Sequence, residues 1–190
     1  MKNLAAVLKQ KLENAGKVAV LGIGSELRSD DAAGVLAAQQ IKKISSKKKL
    51  LHLIKVFIGS TAPENLTGEI KKFKPSHLII IDSADMNAPP GQVTIINSEK
   101  VGGTSFCTHS LPLKVMIDYL RQSCDCETII IGIQPKNLSV GGPISKEVDR
   151  AAQELAVIVV NLLEKTDDGW IRQKHSANRK SLCHSLLKSL

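Results

Sequence analysis

Aromatic side chains are scarce in this sequence: phenylalanine, tryptophan and tyrosine together make up 3% of its 190 residues. Valine, isoleucine, leucine and alanine must therefore fill the core of the globular fold that a hydrophobic content of 43% predicts. The scarcity also leaves too few exposed rings to stack on bases. Although the formal net charge is +8, the lysines lie mainly in short runs that are typical of solvated surfaces. We therefore expect no nucleic-acid partner.

Long apolar runs are absent as well. No stretch approaches the roughly 20 apolar residues that a membrane-spanning helix needs, and residues 1–17 show an amphipathic helical pattern rather than a signal peptide. The four cysteines include no C-x-x-C pair, which favours reduced thiols over a disulfide framework. These absences predict a cytoplasmic protein without stable membrane insertion.

Apolar segments alternate with amphipathic helices along most of the chain. Five segments have the pattern of strands: residues 17–23, 51–57, 78–82, 92–97 and 128–133. Several are apolar on both faces, which is typical of central parallel strands, whereas 92–97 is predicted to be an edge strand that can run antiparallel. The alternation predicts an α/β fold with a mostly parallel sheet covered on both faces.

The length fits one domain, to which we assign residues 1–165. Beyond about Thr166 the composition changes, because Asp167–Gly169 interrupts the helical pattern and the remainder is basic and rich in serine. We predict that residues 166–190 form a basic tail, mobile or folded as a short helix. Its histidines and Cys183 match no zinc-ligand spacing.

Carboxylates and one histidine follow the ends of separate predicted elements. The first strand leads into Asp30 and Asp31, the third ends in Asp82, and His109 precedes a predicted helix. Right-handed crossovers direct the carboxyl ends of parallel strands to one edge of the sheet, where ligands bind in such folds. Two carboxylates and an imidazole suit a divalent transition ion such as nickel or zinc. The pattern indicates a metal site at Asp31, Asp82 and His109.

Each of these residues also has a structural interpretation. Asp30 and Asp31 fall in the first turn of a predicted helix, where negative charge is favoured by about 0.3–1 kcal/mol. Asp82 can cap the loop that follows its strand, and His109 can simply precede a helix cap. Residue types and spacing alone leave both interpretations open.

Two other chemistries are disfavoured. Gly22-Ile23-Gly24 begins like a nucleotide-binding turn, but the third glycine of G-x-G-x-x-G is absent and the neighbouring carboxylates would repel phosphate. Cys107 and His109 are two residues apart, which on an extended segment separates them by roughly twice the 3 Å reach of a nucleophile and its base. Cys107 is more typical of a small buried filler than of a thiol-protease nucleophile.

Five segments between about Val18 and Leu163 share the order and spacing of one known family. They are VLGIGSELRSDDAAG, GSTAPEN, LIIIDSADMNAPPGQVTII, TSFCTHSLPL and IIIGIQP. On these segments the chain resembles the hydrogenase maturation proteases, the endopeptidases that trim nickel–iron hydrogenase large subunits. It is most similar to the hydrogenase 3, or formate-hydrogenlyase, type. Ser25, Ala32 and Ser83 depart from the common family pattern, which bears on substrate choice more than on activity.

The resemblance implies a three-layer α/β/α fold around a twisted sheet. It implies that Asp31, Asp82 and His109 bind metal, and that Asp31 and Asp82 are the catalytic residues of an aspartic-type peptidase. The metal would be nickel carried by the substrate, and zinc or cadmium would be able to occupy the site in vitro.

The resemblance also implies a partner, the nickel-loaded precursor of a nickel–iron hydrogenase large subunit, from which the enzyme would remove a C-terminal peptide. We expect the protein to be a monomer, since no long exposed apolar face is evident. Two alternatives remain at this point: a non-enzymatic, nickel-sensing chaperone of the precursor, and a nucleotide-binding α/β module.

Overall fold

The chain folds around a mixed β-sheet with helices on both faces. The computed structural model describes residues 1–97, 105–106 and 113–187, with the backbone alone for residues 2, 105–106 and 167–187. The helices are α1 (Lys2–Lys11), α2 (Ala33–Lys47), α3 (Thr67–Phe73), α4 (Leu113–Ser123) and α5 (Lys146–Leu187). The strands are β1 (Val18–Ile23), β2 (Ile54–Ser60), β3 (His77–Asp85), β4 (Val93–Ile96), β5 (Ser105–Phe106) and β6 (Glu127–Ile133). Two 3₁₀ turns, Ser29–Ala32 and Pro63–Leu66, lead into α2 and α3.

Five of the strands lie side by side in the order β2-β1-β3-β6-β4. β1 pairs in parallel with β2 and with β3, and β3 pairs in parallel with β6. β4 runs antiparallel to β6, and the short β5 pairs antiparallel with the last residues of β3. The predicted mostly parallel sheet with an antiparallel edge strand is confirmed.

Successive residues of the central strands face opposite sides of the sheet, which divides the core in two. Val18 and Val20 pack with residues of α1, α2 and α5 on one face. Ala19 and Leu21 pack with residues of α3 and α4 on the other. Each fully buried valine or leucine side chain stabilises the fold by about 1.5–3 kcal/mol relative to an exposed one. The predicted three-layer α/β/α arrangement is therefore confirmed.

The second strand begins and ends later than predicted. The sequence pattern predicts a strand over 51–57, but residues 50–53 form a turn in which Leu53 N–H donates to the Leu50 carbonyl at 3.0 Å. This turn reverses the chain after α2, so β2 starts at Ile54 and continues to Ser60.

The predicted break in the last helix at Asp167–Gly169 is wrong, because α5 continues through these residues to Leu187. A glycine costs a helix interior about 1 kcal/mol relative to alanine, and each further residue of a helix that has already formed adds a hydrogen bond. The assignment of residues 166–190 as a separate tail stays a prediction. Within the described chain, no helix combines the length and the apolar character that crossing a membrane requires.

Candidate active site

Two glycines bring the start of α2 directly against the strand backbones. A Cβ placed on Gly34 would lie 2.1 Å from the carbonyl oxygen of Ile81 and 2.4 Å from that of Ile23. A Cβ placed on Gly24 would lie 1.8 Å from the carbonyl oxygen of Asp31, and Gly24 has a φ of 133°, which side chains rarely permit. These contacts fix Asp31 at the carboxyl end of β1.

Asp30 is a buried carboxylate that joins distant segments. Its Oδ2 accepts hydrogen bonds from the backbone N–H groups of Lys136 (2.8 Å) and Asn137 (2.9 Å) and from the Ser145 hydroxyl (2.8 Å), and its Oδ1 accepts one from the Ser145 N–H (2.6 Å). Burial opposes ionisation of Asp30, but these hydrogen bonds outweigh it and hold the pKa of the carboxyl below its usual value. Asp30 therefore links the first 3₁₀ turn to the loop between β6 and α5.

Asp31 has a different environment from its neighbour. Its side chain is also fully buried, and its Oδ2 accepts a hydrogen bond from the Ser25 N–H at 2.8 Å. Its Oδ1 is buried and has no hydrogen-bond partner among the described residues. Buried polar oxygens in native folds almost always have a partner, and a cation is one that a carboxylate oxygen accepts. Asp31 therefore fits the role of a metal ligand.

Asp82 lies on β3, the strand adjacent to β1. β1 and β3 are paired in parallel up to Gly22 and Ile81, so Asp82 follows on β3 where β1 ends and the chain turns toward Asp31. The Asp82 side chain is fully buried, and its Oδ1 accepts a hydrogen bond from the Ser83 N–H at 2.7 Å. The structure thus places both aspartates at the same edge of the sheet, and their role as ligands stays a prediction.

The third predicted ligand, His109, lies outside the described residues, as does Cys107 of the rival cysteine–histidine pair. The chain is described just before them, where Phe106 of β5 pairs with Ala84, two residues beyond Asp82. Within the parts of the chain that are described, no three histidine, cysteine, aspartate or glutamate side chains are grouped so as to hold a metal ion.

A family model described as "Hydrogenase maturation protease" matches residues 33–162, which is more than half of the chain. The chain belongs to the hydrogenase maturation protease family. The predicted family is confirmed, and the match includes Asp82 and His109 and begins two residues after Asp31.

Individual relatives agree with this family assignment. A relative from Methanocaldococcus jannaschii is 34% identical over 162 residues, which cover 84% of this chain and 95% of the relative. The hydrogenase 3 maturation protease of Escherichia coli is 30% identical over 135 residues, which cover 70% of this chain and 83% of the relative. The crystal structure of the NiFe hydrogenase maturation protease HycI from Thermococcus kodakarensis superposes with a TM-score of 0.76 at 26% identity, covering 83% of this chain and 99% of that one.

The N–H groups of the glycine turn in this hydrogenase maturation protease are already engaged within the protein. The Ser25 N–H is bound by the Asp31 carboxylate, and the Gly24 N–H donates to the Ser60 carbonyl at 3.0 Å. A phosphate-binding turn needs such N–H groups free to face the ligand. The geometry therefore weighs against a nucleotide-binding module.

Gln134 is a residue of this edge whose role the sequence analysis missed. It is 7% exposed, and its Oε1 accepts hydrogen bonds from the Met86 N–H (2.7 Å) and the Ala88 N–H (3.3 Å). Its Nε2 donates to Asp85 Oδ1 at 3.2 Å. Gln134 thus fixes the loop that follows β3. The available signal was a glutamine at the end of an apolar strand, where a buried amide requires partners.

Backbone strain is also present at this edge. Ser29, Ser60 and Asn87 have positive φ angles of 48°, 46° and 52°, and they lie after β1, at the end of β2 and after β3. Such conformations cost of order 1–3 kcal/mol for residues other than glycine and concentrate at functional sites. The Ser29 hydroxyl donates to the Pro143 carbonyl at 2.7 Å, which helps to hold this turn.

Proposed function

We propose that this protein is an endopeptidase that removes a C-terminal peptide from the nickel-loaded precursor of a nickel–iron hydrogenase large subunit. Membership of the hydrogenase maturation protease family supports the reaction class, and the names of the relatives support the substrate class. The observation that carries the assignment of the site is the buried Asp31 Oδ1, which has no hydrogen-bond partner among the described residues. Asp31 lies in the first 3₁₀ turn, against the end of β1 at Gly24, and β1 is adjacent to the strand that carries Asp82.

In this proposal Asp31, Asp82 and His109 contact the nickel of the substrate. Carboxylates bind metal in their ionised form, so neither aspartate then serves as a general acid. The nickel supplies Lewis acidity, and the contribution of the chain is to hold the precursor so that its scissile bond lies at the edge of the sheet. Correct orientation of reacting groups lowers a reaction barrier substantially.

The structure around the two aspartates suits such a positioning role. Asp30 fixes the turn that carries Asp31 through four hydrogen bonds. Gln134 fixes the loop that follows β3, the strand that carries Asp82. Because side chains that orient a substrate must themselves be held by their surroundings, these buried polar contacts preorganise the site.

The proposal is tested by incubating the enzyme with nickel-loaded and nickel-free precursor and measuring the precursor mass. We expect a loss of mass only with nickel, and no loss with Asp31→Asn or Asp82→Asn. Asp125→Asn is a matched control, because Asp125 is exposed at the opposite edge of the sheet, and it should cleave at the wild-type rate. An aspartate whose asparagine variant cleaves at that rate is not a ligand.

The other outcomes point to other functions. Stable binding of the precursor without loss of mass would indicate a nickel-sensing chaperone. Saturable binding of NAD or ATP would indicate a nucleotide-binding module.

In the absence of precursor, we expect Cd²⁺ or Zn²⁺ to bind the wild-type protein in calorimetry and to bind Asp31→Asn or a His109→Ala variant more weakly.

A pH profile separates metal ligation from an aspartic-type dyad. A dyad needs one carboxyl protonated and one ionised, so kcat/KM would fall as the pH rises and the second proton is lost. Metal ligation requires both carboxylates ionised and the His109 imidazole neutral, so kcat/KM should rise from acidic pH and then stay level. We expect the second profile.

A further inference from the structure

The two most exposed large apolar side chains among the described residues are Leu27, at 76%, and Val140, at 80%. Leu27 lies on the loop between β1 and the first 3₁₀ turn, and Val140 lies on the loop between β6 and α5. The N–H of Gly141 donates to the Leu27 carbonyl at 2.9 Å, so the two loop tips are adjacent in space. Single exposed apolar residues are ordinary, but here two of them lie on adjacent loop tips beside the candidate site.

The loops that carry this pair are joined along their length. The Asp30 N–H donates to the Asn137 carbonyl at 3.0 Å, and Arg28 Nε donates to the Leu138 carbonyl at 3.5 Å. The buried Asp30 carboxylate accepts its four hydrogen bonds from the same segment. The exposed tips are therefore held in place, and a held apolar contact loses little conformational entropy when it binds.

The pair is continuous with the candidate site. Along the chain, Leu27 lies between Ser25 and Asp31. These two residues are joined by a hydrogen bond from the Ser25 N–H to Asp31 Oδ2. Of the charged residues that flank Leu27, the exposed Glu26 accepts a hydrogen bond from Gln39 at 3.3 Å, and Arg28 donates to the second loop. This rim therefore presents two exposed apolar side chains beside one exposed carboxylate, that of Glu26.

We infer that Leu27 and Val140 form an apolar docking pair that contacts an apolar side chain of the substrate polypeptide close to its scissile bond. The inference rests on the proposed function, because the chain to be cut must lie across this edge to reach Asp31 and Asp82. An apolar contact of this kind is non-directional and grows with the area removed from water. The pair therefore selects precursors that carry an apolar residue at the facing position.

The test uses Leu27→Ser and Val140→Ser, with Leu51→Ser and Val157→Ser as matched controls. Leu51 is 57% exposed on the turn before β2, and Val157 is 47% exposed on α5. For each rim variant we expect kcat/KM on nickel-loaded precursor to fall about tenfold through KM, with kcat and the melting temperature unchanged. The conservative Leu27→Met should keep most of the wild-type value, and both controls should lie within about twofold of it.

A second measurement identifies the facing residue of the precursor. Apolar residues on either side of the cleavage point are replaced one at a time by serine and processed by wild-type enzyme and by Leu27→Ser. At the facing position, the loss of kcat/KM caused by the precursor substitution and the loss caused by Leu27→Ser should not add, because either change removes the same contact.

The outcomes separate the docking inference from the proposed function. If the wild-type enzyme shortens the precursor and both rim variants do so as well as their controls, the docking pair is refuted while the peptidase assignment stands. If the wild-type enzyme never shortens nickel-loaded precursor, the proposed function fails and the docking inference fails with it. If the wild-type protein sediments as a dimer and the rim variants sediment as monomers, a second copy occupies the pair, which also overturns the inference.

Discussion

Replacing Asp30 by asparagine is expected to destabilise the fold, whereas the same change at Asp31 should spare stability and remove activity. An asparagine keeps one oxygen and places an NH₂ group at the other position. At residue 30 the least unfavourable orientation keeps the oxygen where Oδ2 accepts three hydrogen bonds and turns the NH₂ toward the Ser145 N–H. Three charge-assisted hydrogen bonds become neutral ones, and two donors face each other.

The magnitude follows from these contacts. A hydrogen bond to a charged group contributes about 1.5–3 kcal/mol, a neutral one about 0.5–1.5 kcal/mol, and an unsatisfied buried N–H costs about 1–3 kcal/mol. Because the contacts share one carboxylate and do not add fully, we expect Asp30→Asn to lose about 3–5 kcal/mol. For a domain of this size that corresponds to a melting temperature about 10 °C lower.

At residue 31 the asparagine oxygen can still accept from the Ser25 N–H, and the NH₂ takes the place of an oxygen without a described partner. The melting temperature of Asp31→Asn should therefore stay within about 2 °C of wild type. Scanning calorimetry of both variants at neutral pH measures the contrast. Equal shifts in the two variants, or no shift in Asp30→Asn, would refute the assignment of distinct roles.

The contribution of Asp30 to the stability of the fold should also depend on pH. Since the folded-state pKa is lowered from the ordinary value of 3.8, the stabilisation is complete above that value and is lost as the pH falls through the lower folded-state pKa. The gap in melting temperature between wild type and Asp30→Asn should accordingly narrow below pH 3.8. A gap that stays constant into this acidic range would contradict the cause given for the shift.

Three further predictions concern the scaffold. Gly34→Ala should lower the free energy of unfolding by about 3 kcal/mol or more, because its Cβ would lie 2.1 Å from a β3 carbonyl oxygen. The control Gly68→Ala meets no atom within 4 Å and should be neutral or slightly stabilising in thermal melts. Comparable losses of stability in the two variants would contradict the packing argument. Gln134→Ala should leave the Met86 N–H without its acceptor and lower the free energy of unfolding by about 1–3 kcal/mol. Amide hydrogen exchange at Met86 should become faster, and unchanged exchange would show that Gln134 does not hold this loop. Burial lowers the pKa of His77 below 6.5 despite the partly opposing Glu127 carboxylate, so stability should fall as the pH drops below 6.5. This slope should vanish in His77→Gln, and its persistence would assign it to another group.

The central strands were predictable because their chemistry is uniform. β1, β3 and β6 are buried on both faces, and a continuous apolar run indicates this directly. The sequence pattern predicts β2 three residues too early, because the same apolar residues that suit a strand also line the turn at Leu50–Leu53. Periodicity records which residues are apolar, but it does not record where a hydrogen-bonded turn ends.

The positions of Asp31 and Asp82 at one edge followed from strand ends and crossover handedness alone. The different roles of Asp30 and Asp31 did not. The partners of the Asp30 carboxylate lie 106 to 115 residues further along the chain, and no local pattern marks them. Gln134 was missed for the same reason, since the loop that it holds lies 46 to 49 residues before it.

The approach of α2 to β1 and β3 at Gly34 and Gly24 has a consequence for how such an enzyme can diversify. Where main chain touches main chain, the separation is set by atomic radii that every sequence shares. Exchanging isoleucine for leucine elsewhere in the core can tilt other helices, yet the contacts of Gly34 with the carbonyl oxygens of Ile81 and Ile23 contain no side chain that could be resized. Related enzymes can therefore vary in their interiors and in their loop tips, while the start of α2 keeps its distance from the ends of β1 and β3.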